Sequence, residues 1–251
     1  MRIVSLVPSI TELVCELGLG AHLVGRTGFC VHPREVVRTV PKVGGTKSVD
    51  LEKIRALAPT HVILNKDENR VETAEALARF VPNLVVTHPL APEDNAELYR
   101  QLGAAFGRER EAEALCARFE DALAAARRAR RDERRVLYLI WKDPWMTVSR
   151  DTYISRTLAV FGWRTAPEQS AERYPKLAAL RGLGAELVLL SSEPYRFREA
   201  HRAEVEALAG APALLIDGEM TSWYGPRAIA GLAYLADFTA RASPGENPRA
   251  R

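Results

Sequence analysis

Short apolar runs alternate with amphipathic stretches along the first hundred residues of the chain. Apolar runs of strand length occupy residues 3–7, 61–64 and 84–87. Helical spacing is found at about 50–57, 71–80 and 93–106. Apolar strands that alternate with helices predict a parallel sheet covered on both faces, so the fold class is α/β.

The first helix is predicted to open directly after the first strand. Ser9 is followed three residues later by Glu12, the spacing of a capping box, and Gly18 or Gly20 is expected to end the helix. This order of strand, sharp turn and helix is typical of one half of a βα unit.

The second half of the chain repeats the first. Residues 51–64 align with 177–190, and each copy is predicted to be a helix that leads into a strand. Two further matches, 2–4 with 135–137 and 82–85 with 212–215, have nearly the same offset. Three matches in similar register indicate two similar lobes.

A segment rich in Ala, Glu and Arg lies between the two copies. Residues 109–135 contain no Gly or Pro and have apolar residues at helical spacing, so they predict a helix of roughly 40 Å. The predicted domains are an N-terminal lobe (1–108), a rigid linker helix (109–135) and a C-terminal lobe (136–251).

Composition and charge exclude several classes. Of the 251 residues 47% are hydrophobic and 27% are charged, as in a globular chain. The net charge is only +3 with interspersed signs, which argues against a nucleic-acid partner. No apolar stretch is long enough for membrane insertion. The chain starts directly on a strand, which predicts a cytoplasmic protein, or a periplasmic one if a leader has been removed.

Neither the cysteine spacing nor any catalytic motif in the sequence indicates a metal site or a reaction. The three cysteines, Cys15, Cys30 and Cys116, form no C-x-x-C pair, so neither a disulfide framework nor a structural zinc site is expected. No G-x-S-x-G, Walker, H-E-x-x-H or strand-linked G-x-G-x-x-G motif is present. The sequence favours a binding protein without a catalytic cofactor over an enzyme.

Several segments carry a family likeness. Residues 2–13 (RIVSLVPSITEL), 24–33 (VGRTGFCVHP), 43–45 (VGG), 50–54 (DLEKI) and the pair Pro226–Arg227 resemble the class III periplasmic substrate-binding proteins of iron-chelate and cobalamin importers. The cobalamin-binding members are the most similar. The resemblance implies two Rossmann-like lobes joined by one long rigid helix, and a monomer that captures cobalamin or another corrinoid in the cleft between the lobes. It also implies an ABC permease as partner.

The resemblance, with the rule that ligands bind at the carboxyl ends of parallel strands, nominates loop residues as ligand contacts. In the first half these are Pro8, Ser9, Phe29, His32, Gly45, Thr46, Lys47, Asn65 and Lys66. In the second half they are Trp141, Trp145, Met146, Tyr174, Tyr195, Met220, Trp223 and Tyr224, with Phe197 close by.

Aromatic residues separate into two predicted groups. Trp141, Trp145 and Trp223 are in loops, so their rings are expected to be accessible to a flat ligand. The group predicted to be buried in the core comprises Trp163, Tyr138 and Phe161.

Two residues are assigned more specific roles by the resemblance. His32 is the candidate axial ligand to a chelated metal. Cys30 could supply a thiolate as a softer ligand, but a thiol packed beneath the loop is the favoured interpretation. Glu52 matches an acidic position that docks on the permease. The repeat-equivalent position is Ala178, with Glu172 the nearest acid.

Departures from the cobalamin-binding pattern leave alternatives open. Thr46 and Asn65 replace tryptophans, and Arg26, Lys47 and Lys66 are cations suited to carboxylates. A haem or a ferric siderophore is therefore an alternative ligand. A cytoplasmic corrinoid carrier or sensor without a permease is another possibility. The remaining ones are a cofactor-handling enzyme, with a metal held by His32 and acids such as Asp143, Asp217 or Glu219, and a protein-interaction role.

Overall fold

The computed structural model describes residues 1–168 and 171–242. The strands are β1 (Ile3–Ser5), β2 (Leu23–Arg26), β3 (His61–Asn65), β4 (Asn83–Thr87), β5 (Arg134–Trp141), β6 (Met146–Thr147), β7 (Trp163–Thr165), β8 (Leu187–Ser191) and β9 (Ala213–Ile216). The helices are α1 (Pro8–Glu16), α2 (Arg34–Val37), α3 (Leu51–Ala56), α4 (Val71–Ala78), α5 (Asp94–Phe106), α6 (Glu109–Arg128), α7 (Tyr153–Val160), α8 (Arg202–Ala209), α9 (Gly218–Ser222) and α10 (Arg227–Arg241). Among the described helices, none combines the length and apolarity needed to span a bilayer.

The chain divides into two compact units, which confirms the predicted α/β class with two lobes. The first unit contains Met1–Pro89, Glu93–Phe119 and Tyr224–Arg227. The second contains Leu90–Pro92, Glu120–Trp223 and the chain from Ala228 onward. The chain therefore changes unit within α6, and a short segment near the C-terminus returns to the first unit.

The first unit contains a four-stranded sheet in the order β2-β1-β3-β4, with every pair parallel. β1 is buried on both faces, as its mostly apolar sequence requires. Val4, Val62 and Leu64 form the centre of one core face, where Ile54 of α3 and Leu77 of α4 pack against them. All four strands end at the same edge of this sheet.

The second unit contains a five-stranded sheet. β6, β5, β8 and β9 follow one another, and β7 pairs with the start of β5. Only β6 is antiparallel, so β5, β7, β8 and β9 share one carboxyl-terminal edge. The three aromatic residues predicted to be core are buried, with exposed fractions of 2% for Trp163 and 0% for Tyr138 and Phe161.

The predicted capping box of the first helix is wrong. α1 begins at Pro8, with Val7 as N-cap and no side-chain cap, so Ser9 lies inside the helix. Proline suits this first position because its missing N–H would be unsatisfied there in any case. The predicted stop is confirmed, because α1 ends at Glu16 and Gly18 adopts a φ of +76°.

The helix predicted for the second copy of the repeat is also absent. Residues 177–184 form bends and turns, whereas the aligned residues 51–56 form α3. Asp50 accepts a hydrogen bond from the Lys53 N–H at 3.0 Å and caps α3, but its aligned residue is Lys176, which cannot accept one. Gly182 and Gly184, with φ of +85° and +65°, leave the helical region altogether.

The linker helix begins at Glu109, as predicted, and is continuous for 20 residues, but it ends at Arg128 and not near residue 135. Beyond that point backbone groups bond to another segment. The Arg131 N–H donates to Phe161 O at 3.1 Å and the Arg134 N–H to Gly162 O at 3.2 Å. These bonds replace the helical pattern and lead the chain into β5.

Candidate functional site

The carboxyl-terminal edge of the first sheet collects most of the first-half residues that the sequence nominates. β1 leads to Pro8 and Ser9, β2 leads to the loop with Phe29 and His32, and β3 ends at Asn65. Parallel pairing of the four strands is what places these loops at one edge. We call these loops the first-unit edge.

Two asparagines hold the first-unit edge together. Asn65 is 3% exposed, and its Oδ1 accepts hydrogen bonds from the Asp67 N–H at 2.8 Å and the Glu68 N–H at 3.3 Å. Asn69, which the sequence reasoning missed, accepts from the Asn65 N–H at 2.8 Å and donates to Thr46 O at 3.0 Å. The Asn65 side chain is thus committed to shaping the loop. The Asn-x-x-x-Asn spacing next to a strand end was the signal that could have indicated this turn.

Charged groups surround this turn. The Lys47 Nζ donates to Asp67 O at 2.6 Å, so this lysine bridges two loops of the edge. His88, directly after β4, places its Nε2 3.4 Å from Asp67 Oδ1. Lys66, next to Asp67 in the chain, is exposed. The edge is therefore polar and carries both signs of charge.

The loop after β2 contributes the most exposed aromatic ring of the first unit. Phe29 is 62% exposed, and its ring lies over Gly45, where a Cβ would approach Phe29 Cε2 to 3.3 Å. Cys30 is fully buried, with its Sγ 3.0 Å from Thr11 Oγ1 and 3.2 Å from Thr27 Oγ1. Burial raises the pKa of the Cys30 thiol. A neutral buried thiol does not ligate metal, so the packed interpretation of Cys30 is the better one.

His32 is half-buried and precedes a cis bond to Pro33. Among the described residues, no group of three or more His, Cys, Asp or Glu side chains could hold a metal ion. Axial ligation of a chelated metal by His32 requires only one donor and stays a prediction.

Arg26 cannot be the ligand-facing cation that its sequence position suggested. It is 7% exposed, and its guanidinium donates to Val37 O at 2.7 Å and to Thr27 O at 3.0 Å. Its partners are backbone carbonyls beneath the loop, because β2 ends with this side chain pointing into the unit.

Tyr224 belongs to the first unit although its sequence neighbours precede it in the second. It is 8% exposed, and its hydroxyl donates to Glu68 Oε1 at 2.5 Å. Burial, and then the Glu68 carboxylate, raise the pKa of Tyr224. The next residue is held as well, because the Gly225 N–H donates to Asn95 Oδ1 at 2.7 Å and Tyr99 OH donates to Gly225 O at 2.8 Å.

The corresponding edge of the second sheet, which we call the second-unit edge, carries an aromatic cluster. Trp141 ends β5, is 40% exposed and meets Tyr195 edge-on at 5.7 Å between ring centroids. Tyr195 meets Phe197 at 4.8 Å, and Trp145 stacks on Phe197 at 6.3 Å with an interplanar angle of 6°. Phe197 is buried, and Trp145 and Tyr195 pack against the core that contains it. The exposed Trp141 ring thus rests on a rigid aromatic base.

A lysine fixes the hairpin that carries Trp145. The Lys142 Nζ lies 5.5 Å from the Trp145 ring centroid and 2.5 Å from Glu204 Oε2. The Glu204 hydrogen bond raises the pKa of Lys142. Lys142 therefore remains a cation that links the hairpin to α8.

Trp223 is less accessible than its loop setting suggested. It is 9% exposed, and its Nε1–H donates to Glu193 Oε2 at 2.9 Å. Met220, on α9, is half-buried, and its N–H donates to Asp217 Oδ1 at 3.2 Å. Of the three loop tryptophans, Trp141 alone is an exposed ring, because Trp145 and Trp223 find partners within the second unit.

Tyr174 and Met146 complete the nominated residues of the second unit. Tyr174 is 37% exposed, and Met146 begins β6 opposite Trp141. Beside the ends of β8 and β9 lies an open cavity of about 550 Å³. Its lining is Leu190, Ser192, Arg196, Phe197, Arg198, Glu199, Leu215, Ile216 and Asp217. The sequence reasoning did not single out its two arginines.

The first unit has an open cavity of about 590 Å³ next to α3 and α4. Lys47, Ser48, Val49, Leu51, Arg70, Glu72 and Thr73 line it. Glu52 projects from the adjacent first turn of α3, is 83% exposed and lies 3.7 Å from Arg55. The position aligned with Glu52, Ala178, is in the segment that forms no helix.

Comparison with known proteins adds the family. A vitamin B12-binding protein of Pectobacterium carotovorum is 21% identical over 98% of this chain and 91% of its own length. An uncharacterised ABC transporter substrate-binding lipoprotein of Bacillus subtilis is 26% identical over 94% of this chain and 79% of its own. The solved periplasmic haem-binding protein of a Roseiflexus species superposes with a TM-score of 0.83 at 23% identity, covering 96% of this chain and 99% of that one.

These similarities confirm the resemblance but do not separate cobalamin from haem, because both kinds of relative match nearly the whole chain at similar identity. The expected cytoplasmic location finds no support, since the family description is periplasmic and one relative is a lipoprotein. The relatives are substrate-binding proteins of transporters and not enzymes. The model of the family described as periplasmic binding protein matches residues 3–180, and the chain belongs to that family.

Proposed function

We propose that this protein captures cobalamin or another corrinoid as the substrate-binding component of an ABC importer. The observation that carries the proposal is the Trp141 ring, exposed at the second-unit edge and backed by Tyr195. A flat macrocycle is bound chiefly by apolar and aromatic contact, and a ring held by neighbouring rings loses little freedom when the ligand arrives. Tyr174, 37% exposed, adds a second accessible ring in this unit.

The first-unit edge is proposed to contribute polar contacts. Phe29 offers an apolar surface, and Lys47 and Lys66 offer donors to the amide or carboxylate groups of a chelate. The Lys47 Nζ is already bonded to Asp67 O, which orients it. His32 is proposed as the axial ligand.

A haem or a ferric siderophore is the second candidate. Arg196 and Arg198 line the cavity beside β8 and β9, and within the described residues neither guanidinium has an ion pair. Arginine pairs well with carboxylates, which haem carries as propionates, whereas the side chains of the corrin ring are neutral amides. These cations therefore favour an anionic chelate over a corrinoid, although the sequence resembles the cobalamin-binding members of the family most.

Docking on a permease is proposed to involve Glu52, whose carboxylate is exposed at the start of α3. The second unit offers no equivalent on a helix, because Ala178 lies in an irregular segment. Glu172, exposed nearby, is the acid proposed to replace it. A transporter-free carrier or sensor would use neither residue.

An absorption and calorimetric titration with cyanocobalamin, aquocobalamin and haem tests the ligand. Trp141→Ala is expected to weaken corrinoid binding at least tenfold, since a large ring buries 150–250 Å² at about 25 cal/mol per Å². Leu208→Ala, at a 44% exposed position on α8, is the matched control and is expected to bind normally. His32→Ala should remove the spectral shift of aquocobalamin while leaving cyanocobalamin affinity nearly unchanged.

Haem binding that is lost in Arg196→Gln and Arg198→Gln, with no heat from either cobalamin, would replace the first candidate by the second. No binding of any of these chelates would refute both corrinoid and haem capture.

A further inference from the structure

An unusual density of arginine marks the junction of α6 and β5. Residues 127–135 contain six arginines against Asp132 and Glu133, a local excess of four positive charges in a chain whose net charge is only +3. Arg164, on β7, pairs in register with Arg135 and joins this group. We call the group the arginine patch; its members are Arg127, Arg128, Arg130, Arg131, Arg134, Arg135 and Arg164.

The arginine patch lies at the end of the second sheet opposite the aromatic cluster. β5 starts at Arg134 and ends at Trp141, and β7 starts at Trp163 in parallel with it. The patch thus occupies the amino-terminal edge of the sheet, while Trp141 and Tyr195 occupy the carboxyl-terminal edge. A partner on the patch would leave the candidate ligand residues of this unit uncovered.

Several patch arginines are positioned without losing their charge. The Arg130 guanidinium donates to Ala159 O at 2.9 Å, and the Arg134 guanidinium donates to Ala242 O. Carbonyl oxygens fix the direction of a guanidinium but do not neutralise it. Arg128 and Arg131 are exposed, and within the described residues neither side chain has an ion pair.

Acidic neighbours compensate only part of this charge. Glu133 lies 2.7 Å from the Arg164 Nε, so this acid is taken by one member of the patch. Glu168 lies 3.8 Å from Arg135 but 2.6 Å from Arg150; Glu168 and Arg135 are largely exposed to solvent, and Arg150 is partly exposed. Exposed pairs of this kind are weak and are screened by salt. The patch therefore keeps a net positive field.

The shape and composition of the patch indicate the kind of partner. Neither described cavity is lined by its residues, so the charge is spread over the surface and does not converge on one small anion. Single-stranded nucleic acid needs exposed rings on which bases stack, and the ring under Arg134 is Trp163, which is 2% exposed. A surface with distributed negative charge matches best. For a protein of a periplasmic family, that surface is the phospholipid membrane.

We propose that the arginine patch binds the anionic headgroups of a phospholipid bilayer. The interaction is peripheral, since it rests on the attraction between each arginine and the anionic surface and inserts no apolar segment into the lipid. It goes beyond ligand binding: it would concentrate the protein at a membrane while leaving the edge that carries Trp141 uncovered. Ligand affinity measured in solution does not depend on it.

Vesicle co-sedimentation tests the proposal on the full chain, with phosphatidylglycerol–phosphatidylcholine vesicles and pure phosphatidylcholine vesicles at low and high salt. The protein should bind only the anionic vesicles and be released by salt. Arg128→Gln combined with Arg131→Gln should weaken partitioning about thirty-fold. The control is Arg38→Gln combined with Arg79→Gln, which removes the same charge from exposed sites of the first unit and should have a far smaller effect.

Equal losses in both double variants would show attraction by net charge alone and would overturn the assignment to the patch. Absence of binding to anionic vesicles at low salt would overturn the proposal even if the variants failed to fold. Tight binding of a DNA duplex under conditions where vesicles do not bind would assign the patch to a different polyanion and would equally refute it.

Discussion

Glu12 and Arg227, 215 positions apart, form a two-point ion pair. The Arg227 Nε lies 3.0 Å from Glu12 Oε2 and its second nitrogen lies 2.9 Å from Oε1, with side-chain exposures of 14% and 22%. The pair joins α1 to the segment that returns to the first unit near the C-terminus. Both residues belong to the segments that carry the family resemblance, so the structure supplies a physical reason for their joint occurrence.

We expect Arg227→Gln to lower the free energy of unfolding by about 2 kcal/mol, because it leaves a largely buried carboxylate without its partner. Glu12→Gln with Arg227→Gln should cost less than the sum of the single changes in a double-mutant cycle. Arg118→Gln is the control: its pair with Glu16 is 60% and 40% exposed, and its removal should cost under about 1 kcal/mol. Additive losses in urea unfolding would contradict this interpretation of the pair.

The thiols should be unreactive in the folded protein. Burial, followed by the charges of Glu12 and Glu35, raises the pKa of Cys15 to about 12. Burial also raises the pKa of Cys30, and Cys116 is 1% exposed. Because the thiolate is the reacting species, Ellman's reagent at pH 8 should label none of the described thiols within minutes. All three should react in guanidinium chloride. Rapid native labelling that disappears in Cys30→Ala would instead revive Cys30 as a thiolate ligand.

His61 should make the protein less stable in mild acid. It begins β3, meets Phe106 edge-on at 5.1 Å, and burial lowers its pKa from the ordinary 6.5. The unfolded chain therefore binds a proton near pH 6 that the folded chain binds less well, so the free energy of unfolding falls as the pH drops through 6.5. Urea unfolding at pH 7.5 and 5.5 should show a smaller difference for His61→Gln than for the parent chain. Equal differences would exclude His61 as the cause.

Gly231 allows α10 to approach α9, which carries Met220. A Cβ at Gly231 would lie 2.2 Å from Met220 O, a backbone atom that cannot move aside alone. Gly231→Ala should displace α9, lower the free energy of unfolding by about 1–3 kcal/mol and weaken chelate binding. In Gly28→Ala the new Cβ would come no closer than 3.7 Å to Gly44 O, and stability should change by under about 0.5 kcal/mol. A fully stable Gly231→Ala variant would show that the two helices are not so tightly packed.

Local sequence determined the strands and much of the organisation. β1 and β3 were predictable because a strand buried on both faces needs a mostly apolar run, and α5 because its apolar spacing fits a helix. β4 was predictable from its apolar residues 84–86, although this strand is only partly buried. The repeat revealed the two lobes. The helix that the repeat predicted at residues 177–184 is absent. This second copy lacks an N-cap such as Asp50, and Gly182 adopts a positive φ that is not helical.

Tertiary structure alone decided which nominated residues face solvent. Trp141 and Trp223 were both predicted to lie in loops, yet one ring is 40% exposed and the other is held at 9% by Glu193, a residue 30 positions away. Arg26 is turned inward by Val37 O, an acceptor that only the folded chain brings near it. Periodicity reports which face of an element is apolar, because that depends on neighbours in sequence. Whether a loop side chain finds a partner depends on distant segments, and so it is settled only when the chain folds.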